Sequence, residues 1–161
     1  MMTDVFVAAG SNIDPKLNLR TAISALKRRL GDVQVSRAYV NKSSGFDGPD
    51  FINLVIGFKA ELTLSEVLSV LQAIEWLCGR PRKAPKFEPR TLDLDLLLYG
   101  DMVCSTHVIT LPRPDLVRRA YMLGPLAEIA PDVMHPTLHK TVGQLWNEFD
   151  QASHPLTPIE L

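Results

Sequence analysis

Asp93 and Asp95 sit at alternate positions of "PRTLDLDLLLYG", residues 89–100, in a stretch that is otherwise leucine-rich. Side chains alternate along a strand, so the two carboxylates share one face while Leu92, Leu94 and Leu96 take the other. A rise of roughly 3.3 Å per residue sets them about 7 Å apart. Leu97 falls on the aspartate face and returns it to apolar character, so the charged patch is short and lies at the strand entrance. Burying an unpaired carboxylate costs several kcal/mol, so the pair must be hydrated, joined to cationic side chains or engaged with a metal. Oxygen ligands at this spacing suit one or two Mg²⁺ ions, which keep some waters and draw further ligands from a phosphate chain. Pairing with arginine would satisfy the same carboxylates, and the D-x-D pattern alone does not choose.

The segment upstream weights the choice. Arg80, Arg82, Lys83, Lys86 and Arg90 place five cations within eleven residues. A basic loop is most often a solvated face, but this one ends directly on two acids. Cations beside a carboxylate-held metal can grip a polyphosphate, whose chemistry depends on alignment and charge neutralisation. No G-x-x-x-x-G-K-[ST] motif occurs, so a P-loop is not the source of phosphate binding. Gln72 and Glu75, three apart on an amphipathic helix, lie side by side just before the basic segment.

The elements that must position these groups follow from the pattern. "VFVAAG" reads as a strand ending at Gly10, and Asp14-Pro15 starts a helix whose Leu19, Ile23, Leu26 and Leu30 form one apolar face before Gly31. "DVQVSRAYVN" and "FINLVIGFKAE" read as an antiparallel strand pair joined by the turn-rich "KSSGFDGPD". Thr63 and Glu66 form a capping box for a helix burying Leu64, Val67, Leu68, Leu71, Ile74 and either Leu77 or Cys78. The aspartate strand follows. The order β-α-β-β-α-β is the ferredoxin-like, split-βαβ arrangement of the α/β (α+β) class. Beyond it come a short strand at "VITLP", a helical segment broken near Gly124 and Pro125, and a last amphipathic helix at "TVGQLWNEF".

With 161 residues and 46% hydrophobic content, the chain is expected to form one domain over 1–161, with a core of about 4–135 and a C-terminal helix and tail at 136–161. The net charge of -1 gives no global field of the kind nucleic-acid binders carry. Cys78 and Cys104 make no metal-type spacing. His135 and His139 are four apart, but Pro136 between them argues against a helical metal pair, and the four histidines read as loop residues. The absence of a signal-peptide pattern and of a bilayer-length apolar run makes the cytoplasm the expected compartment. Small-molecule ligands are expected, with no nucleic acid, membrane or protein partner.

Taken in order, "GSN" (10–12), "FIN" (51–53), Gln72-x-x-Glu75, "GRPRK" (79–83), "PRTLDLDLLLYG" and "LPRPD" onward through "EIAP" (111–131) resemble the 6-hydroxymethyl-7,8-dihydropterin pyrophosphokinase family, from about residue 5 to residue 135. The resemblance implies transfer of the β,γ-pyrophosphoryl group of ATP to the pterin hydroxymethyl oxygen with release of AMP, a step of folate synthesis. It implies that Asp93 and Asp95 are ligands of two Mg²⁺ ions and that Arg80 and Arg90 meet phosphates or the reacting groups. Arg82, Gln72, Glu75, Leu96, Thr110, Arg113 and Arg119 match nucleotide-site positions. Asn53 matches the amide that reads the pterin edge, and Phe51 and Tyr121 match the aromatic pair that holds its ring. Phe87 and Ser44 match positions in two loops that border the pterin. Aromatic faces with one reading amide suit a flat polar heterocycle.

The chain departs from the family at three places. Arg113 stands where His is usual, which keeps a cation but removes a group able to trade a proton near neutrality. The 41–50 loop is shortened, and Phe87 replaces a usual Trp. Prolines 81, 85 and 89 restrict a segment that the resemblance expects to close over substrates. Two rivals remain at this point: a pterin- or nucleotide-binding homologue without turnover, and a ferredoxin-like RNA binder, against which the near-zero charge argues.

Overall fold

The computed structural model describes residues 2–41, 50–79 and 92–161. In chain order the elements are β1 (Thr3–Ser11), α1 (Pro15–Leu30), β2 (Val33–Val35), β3 (Ala38–Asn41), β4 (Phe51–Ala60), α2 (Leu64–Leu77), β5 (Asp93–Tyr99), β6 (Cys104–Ser105), β7 (Thr110–Leu111), a 3-10 turn at Pro114–Val117, α3 (Ala120–Ile129), α4 (Val142–Glu148) and β8 (Thr157–Ile159). Among the described residues six strands make one antiparallel sheet in the order β5-β1-β4-β3-β8, with β2 also on β4. Strands β1, β2–β3, β4 and β5 with α1 and α2 are the expected βαββαβ core. No helix among the described residues is long and apolar enough to cross a membrane.

The central strands are buried on both faces, so each face has its own core. One holds Val5, Val7, Leu54, Ile56, Leu94 and Leu96 under Leu19 and Leu26 of α1 and Val67, Leu71 and Ile74 of α2. The other holds Phe6, Ala8, Val55, Leu97 and Leu98 under Leu116, Met122, Leu123 and Leu126, with Val142 of α4. The Thr63–Glu66 capping box forms, with Glu66 N–H donating to Thr63 Oγ1 and Thr63 N–H to Glu66 Oε1. That hydrogen bonding holds the Glu66 carboxyl below its ordinary value.

The structure decides one choice that the sequence left open and departs from the sequence reading in several other details. Cys78 is the buried residue at the end of α2, and Leu77 is 60% exposed. Asp14 adopts a left-handed backbone and makes no side-chain cap; Pro15 at the first turn starts α1 instead. The strand expected at 32–41 is split. Val35 pairs with Ile56 and Tyr39 with Asn53, so four residue steps oppose three, the signature of a bulge. Ser36 occupies it, its N–H donating to the Val55 carbonyl and its hydroxyl accepting from the Val55 N–H.

Helix α3 runs unbroken through Gly124 and Pro125. Pro125 lies inside the helix, where it removes the backbone bond to the Tyr121 carbonyl, and the burial of Met122, Leu123, Pro125 and Leu126 offsets that loss. A Cβ on Gly124 would stand 2.7 Å from Leu156 and 2.9 Å from Trp146, so the glycine lets the C-terminal segment close onto the helix. That segment also supplies β8, which pairs with β3 from Ala38–Ile159 to Val40–Thr157 and was not apparent as a strand in "PLTPIEL".

Candidate active site

Strand register places the chemistry in one row. Asp93 of β5 lies opposite Gly10 of β1, Gly10 opposite Asn53 of β4, and Asn53 opposite Tyr39 of β3. Asp95 is opposite Ala8, in the second face's core. The register shifts between Phe6 and Val7, opposite Leu98 and Leu96, so β5 carries one extra residue. Leu97, the extra residue, and Leu98 after it both enter the core under α3. The bulge therefore ends the polar face just after Asp95. Both aspartates are half-buried while Leu92, Leu94 and Leu96 are buried in the opposite core, as the alternation requires.

Gly10 is there for close approach. A Cβ on it would stand 2.6 Å from Asn53 Nδ2 and 3.8 Å from Phe51 Cδ1, so the Asn53 amide lies across the glycine backbone. Asn53 is buried, and its Oδ1 has no hydrogen-bond partner among the described residues. A buried acceptor left unsatisfied costs about 1–3 kcal/mol, which a ligand N–H donor placed there would relieve.

The outer edge of β5 is held from two sides. Glu75 Oε2 accepts from the Leu94 N–H at 2.9 Å, so part of this residue's role is to cover the strand edge. Arg113, which follows the cis Leu111–Pro112 bond, donates its own N–H to the Leu97 carbonyl and its Nε to the Leu96 carbonyl at 2.9 Å. Its Nη2 then lies 3.7 Å from Asp95 Oδ1. Among the described residues the arginine-pairing alternative thus has Arg113 as a concrete partner, and it comes from downstream of the strand. A pair this long, with the Asp95 side chain 40% exposed, contributes at most about 1 kcal/mol.

Tyr121 of α3 is half-buried, and burial raises its hydroxyl pKa. Asp115, Asp95 and Asp93 raise it further while Arg119 lowers it, so this ring lies within electrostatic reach of the aspartates. With Arg119 it lines a cleft of about 640 Å³ that also touches Asn41, Asp50 and the C-terminal Leu156. Phe51 is half-buried at the start of β4, Gln72 is exposed on α2, and Thr110 Oγ1 lies 3.5 Å from Ser105 Oγ. The Leu96 side chain belongs to the core, so only its backbone faces outward. Arg80, Arg82, Phe87, Arg90 and Ser44 lie outside the described residues.

The contacts of two polar residues were not foreseen in the sequence reading. Glu128, near the end of α3, accepts from Arg37 N–H and Tyr39 Oη. Its signal was an acid where the helix dipole disfavours one. His135 lies outside the helices and strands, as the sequence reading had it, but is buried, and its Nδ1 accepts from Thr137 and Leu138 N–H.

Residues 6–131 match the model of the 7,8-dihydro-6-hydroxymethylpterin-pyrophosphokinase family. The chain belongs to this family. A Synechocystis protein named 2-amino-4-hydroxy-6-hydroxymethyldihydropteridine pyrophosphokinase is 41% identical, covering 94% of this chain and 80% of its own length. A protein of the same name from Haemophilus influenzae is 36% identical over 98% of this chain and 99% of its own. Among solved structures, the HPPK-DHPS of Plasmodium falciparum with pteroate matches with a TM-score of 0.73 at 15% identity. It covers 92% of this chain and 42% of that one, so this chain spans less than half the length of that protein, and the likeness shows the fold.

Proposed function

We propose that this pyrophosphokinase uses ATP to convert 6-hydroxymethyl-7,8-dihydropterin to its diphosphate in folate biosynthesis. The hydroxymethyl oxygen attacks the β-phosphorus, the bond from that phosphorus to the oxygen on the α-phosphorus breaks, and AMP leaves with the electron pair. The hydroxyl proton is lost to solvent in the overall balance. One observation supports the reading most: a half-exposed carboxylate pair stands in strand register with a buried amide oxygen that has no partner among the described residues, across a glycine that leaves room for a ligand.

Asp93 and Asp95 offer only hard oxygen donors, on one strand face and open to solvent, and this set fits Mg²⁺. Two such ions, held by Asp93 and Asp95, would neutralise charge on the triphosphate. Arg113, fixed to β5 by its backbone N–H and its Nε, presents its remaining guanidinium nitrogens beside them to phosphate oxygens. Arg80, Arg82 and Arg90 add cations from the segment preceding β5, and Gln72, Glu75, Leu96, Thr110 and Arg119 border the nucleotide. Asn53 reads the pterin edge through its Oδ1, which has no donor among the described residues. Phe51 and Tyr121 hold the ring, and Phe87 and Ser44, outside the described residues, are assigned to the pterin by the family resemblance alone. The chain acts as one unit over 1–161, because β8 completes the sheet that carries Asn53.

The test is product analysis with ATP, Mg²⁺ and the hydroxymethyldihydropterin. AMP and the pterin diphosphate are expected in equal amounts; ADP, or binding of both substrates with no product, would contradict the proposal.

A further inference from the structure

The two halves of the pterin position come from different layers. Asn53 belongs to the sheet, and Tyr121 to the helix packed over it. We propose that Glu128 is a positioning residue that fixes the distance between them, an inference that rests on the pterin reading above. Its carboxylate accepts from the Arg37 N–H at 2.7 Å through Oε2 and from the Tyr39 hydroxyl at 2.6 Å through Oε1.

Each end of this clamp leads to the site. Tyr39 is the cross-strand partner of Asn53, and directly opposed residues stand side by side on one face. Arg37 lies in the break between β2 and β3, outside both strands, so its N–H needs a partner that the ladder does not supply. On the helix, Glu128 and Tyr121 are seven residues apart, which at 3.6 residues per turn puts them on the same face two turns apart. The row from Asp93 through Gly10 and Asn53 to Tyr39 is thereby tied through Glu128 to the helix that carries Tyr121.

The chain accepts a local penalty for this contact. An acid in the last turn of a helix is opposed by the helix dipole, and a local rule broken without a packing reason marks a constraint of another kind. Glu128 is exposed, so burial does not require it there. The Tyr39 hydroxyl responds to the contact: burial first, then the hydrogen bond and charge of Glu128, push its pKa up to about 12.

Equilibrium binding of the pterin and of a non-hydrolysable ATP analogue with Mg²⁺, measured separately by calorimetry, tests the assignment alongside steady-state kinetics. Glu128→Ala is expected to weaken pterin binding and raise the pterin KM by about tenfold, the loss of hydrogen bonds to a charged acceptor. The analogue's affinity and the ATP KM should be unchanged. Tyr39→Phe, which keeps the ring and the Arg37 bond, should give a smaller loss in the same direction. Glu128→Gln retains an acceptor oxygen for Arg37 and should recover most of the affinity. Equal losses for both ligands, or a lowered Tm with pterin affinity intact, would overturn the positioning role while leaving the reaction assignment standing. A wild-type protein that binds neither ligand would remove that assignment and the inference with it.

Discussion

The face of the sheet under α1 and α2 and the face under α3 use the same strands for different ends. On the first, Leu19, Leu26, Leu54, Ile56 and Leu96 are fully buried, and the strand row facing the helices is apolar apart from Thr3 and Ser11 at the two ends of β1. On the second, the core of Phe6, Val55, Leu97 and Leu98 fills only part of the area, and beyond it the strands present Gly10, Asn53, Asp93 and Asp95. Closing one face completely lets the other remain open and polar at one end without losing the fold. Stability and chemistry should therefore separate by face.

The largest expected effects come from a pair of substitutions, one on each face. Asp95→Asn removes charge from the open face and should lower kcat by about 10²-fold or more, with thermal unfolding little changed. Leu26→Ala should cost about 2–5 kcal/mol of stability and leave the kcat of the folded fraction intact. Chemical denaturation and kinetics on both variants check this, and a variant that loses both properties equally would erase the distinction between faces. Gly10→Ala comes next. The new methyl must displace the Asn53 amide 2.6 Å away, so the pterin KM should rise by roughly ten- to a hundredfold with the ATP KM unaffected. An unchanged pterin KM would mean that Asn53 does not meet the ligand.

The smallest effect lies outside both faces, in the turn after α3. Burial holds His135 below its ordinary value of 6.5, so it stays neutral in the folded chain where the unfolded chain protonates it. Its contribution is fully present above pH 6.5 and is lost as pH falls from there through the lower folded value. Protonation at Nδ1 would also displace the Thr137 and Leu138 N–H donors. Tm measured from pH 7.5 to 5 should fall, and His135→Asn should flatten that slope even if its Tm is lower throughout. Parallel slopes would show that another group governs the acid limb.

Much of this division was legible in the residues. The alternation of Leu92 to Leu96 with Asp93 and Asp95 gave the right faces, and Thr63 with Glu66 gave the right helix start, because both depend on local periodicity and local hydrogen bonds. The break at Ser36 was hidden because a bulge is defined by the partner strand, which "QVSRAY" does not contain. The continuity of α3 through Pro125 was missed for a related reason: Trp146 and Leu156, which pack against Gly124, are more than twenty residues away. Arg113 was read as a phosphate ligand, but its hold on β5 through the Leu96 and Leu97 carbonyls depends on a turn whose path the sequence does not specify. Glu128 was legible only as a letter of the "EIAP" motif, since its backbone donor, the Arg37 N–H, is supplied by the strand break.

The claim beneath all of this is that Asp93 and Asp95 hold the divalent ions that bring the triphosphate to the pterin. Calorimetric titration of Mn²⁺ into the protein saturated with a non-hydrolysable ATP analogue tests it most directly. Two bound ions in the wild type, with affinity reduced by about tenfold or more in Asp95→Asn and further in the double variant with Asp93→Asn, are the predicted result. Titrations of wild type and double variant that superimpose would contradict it.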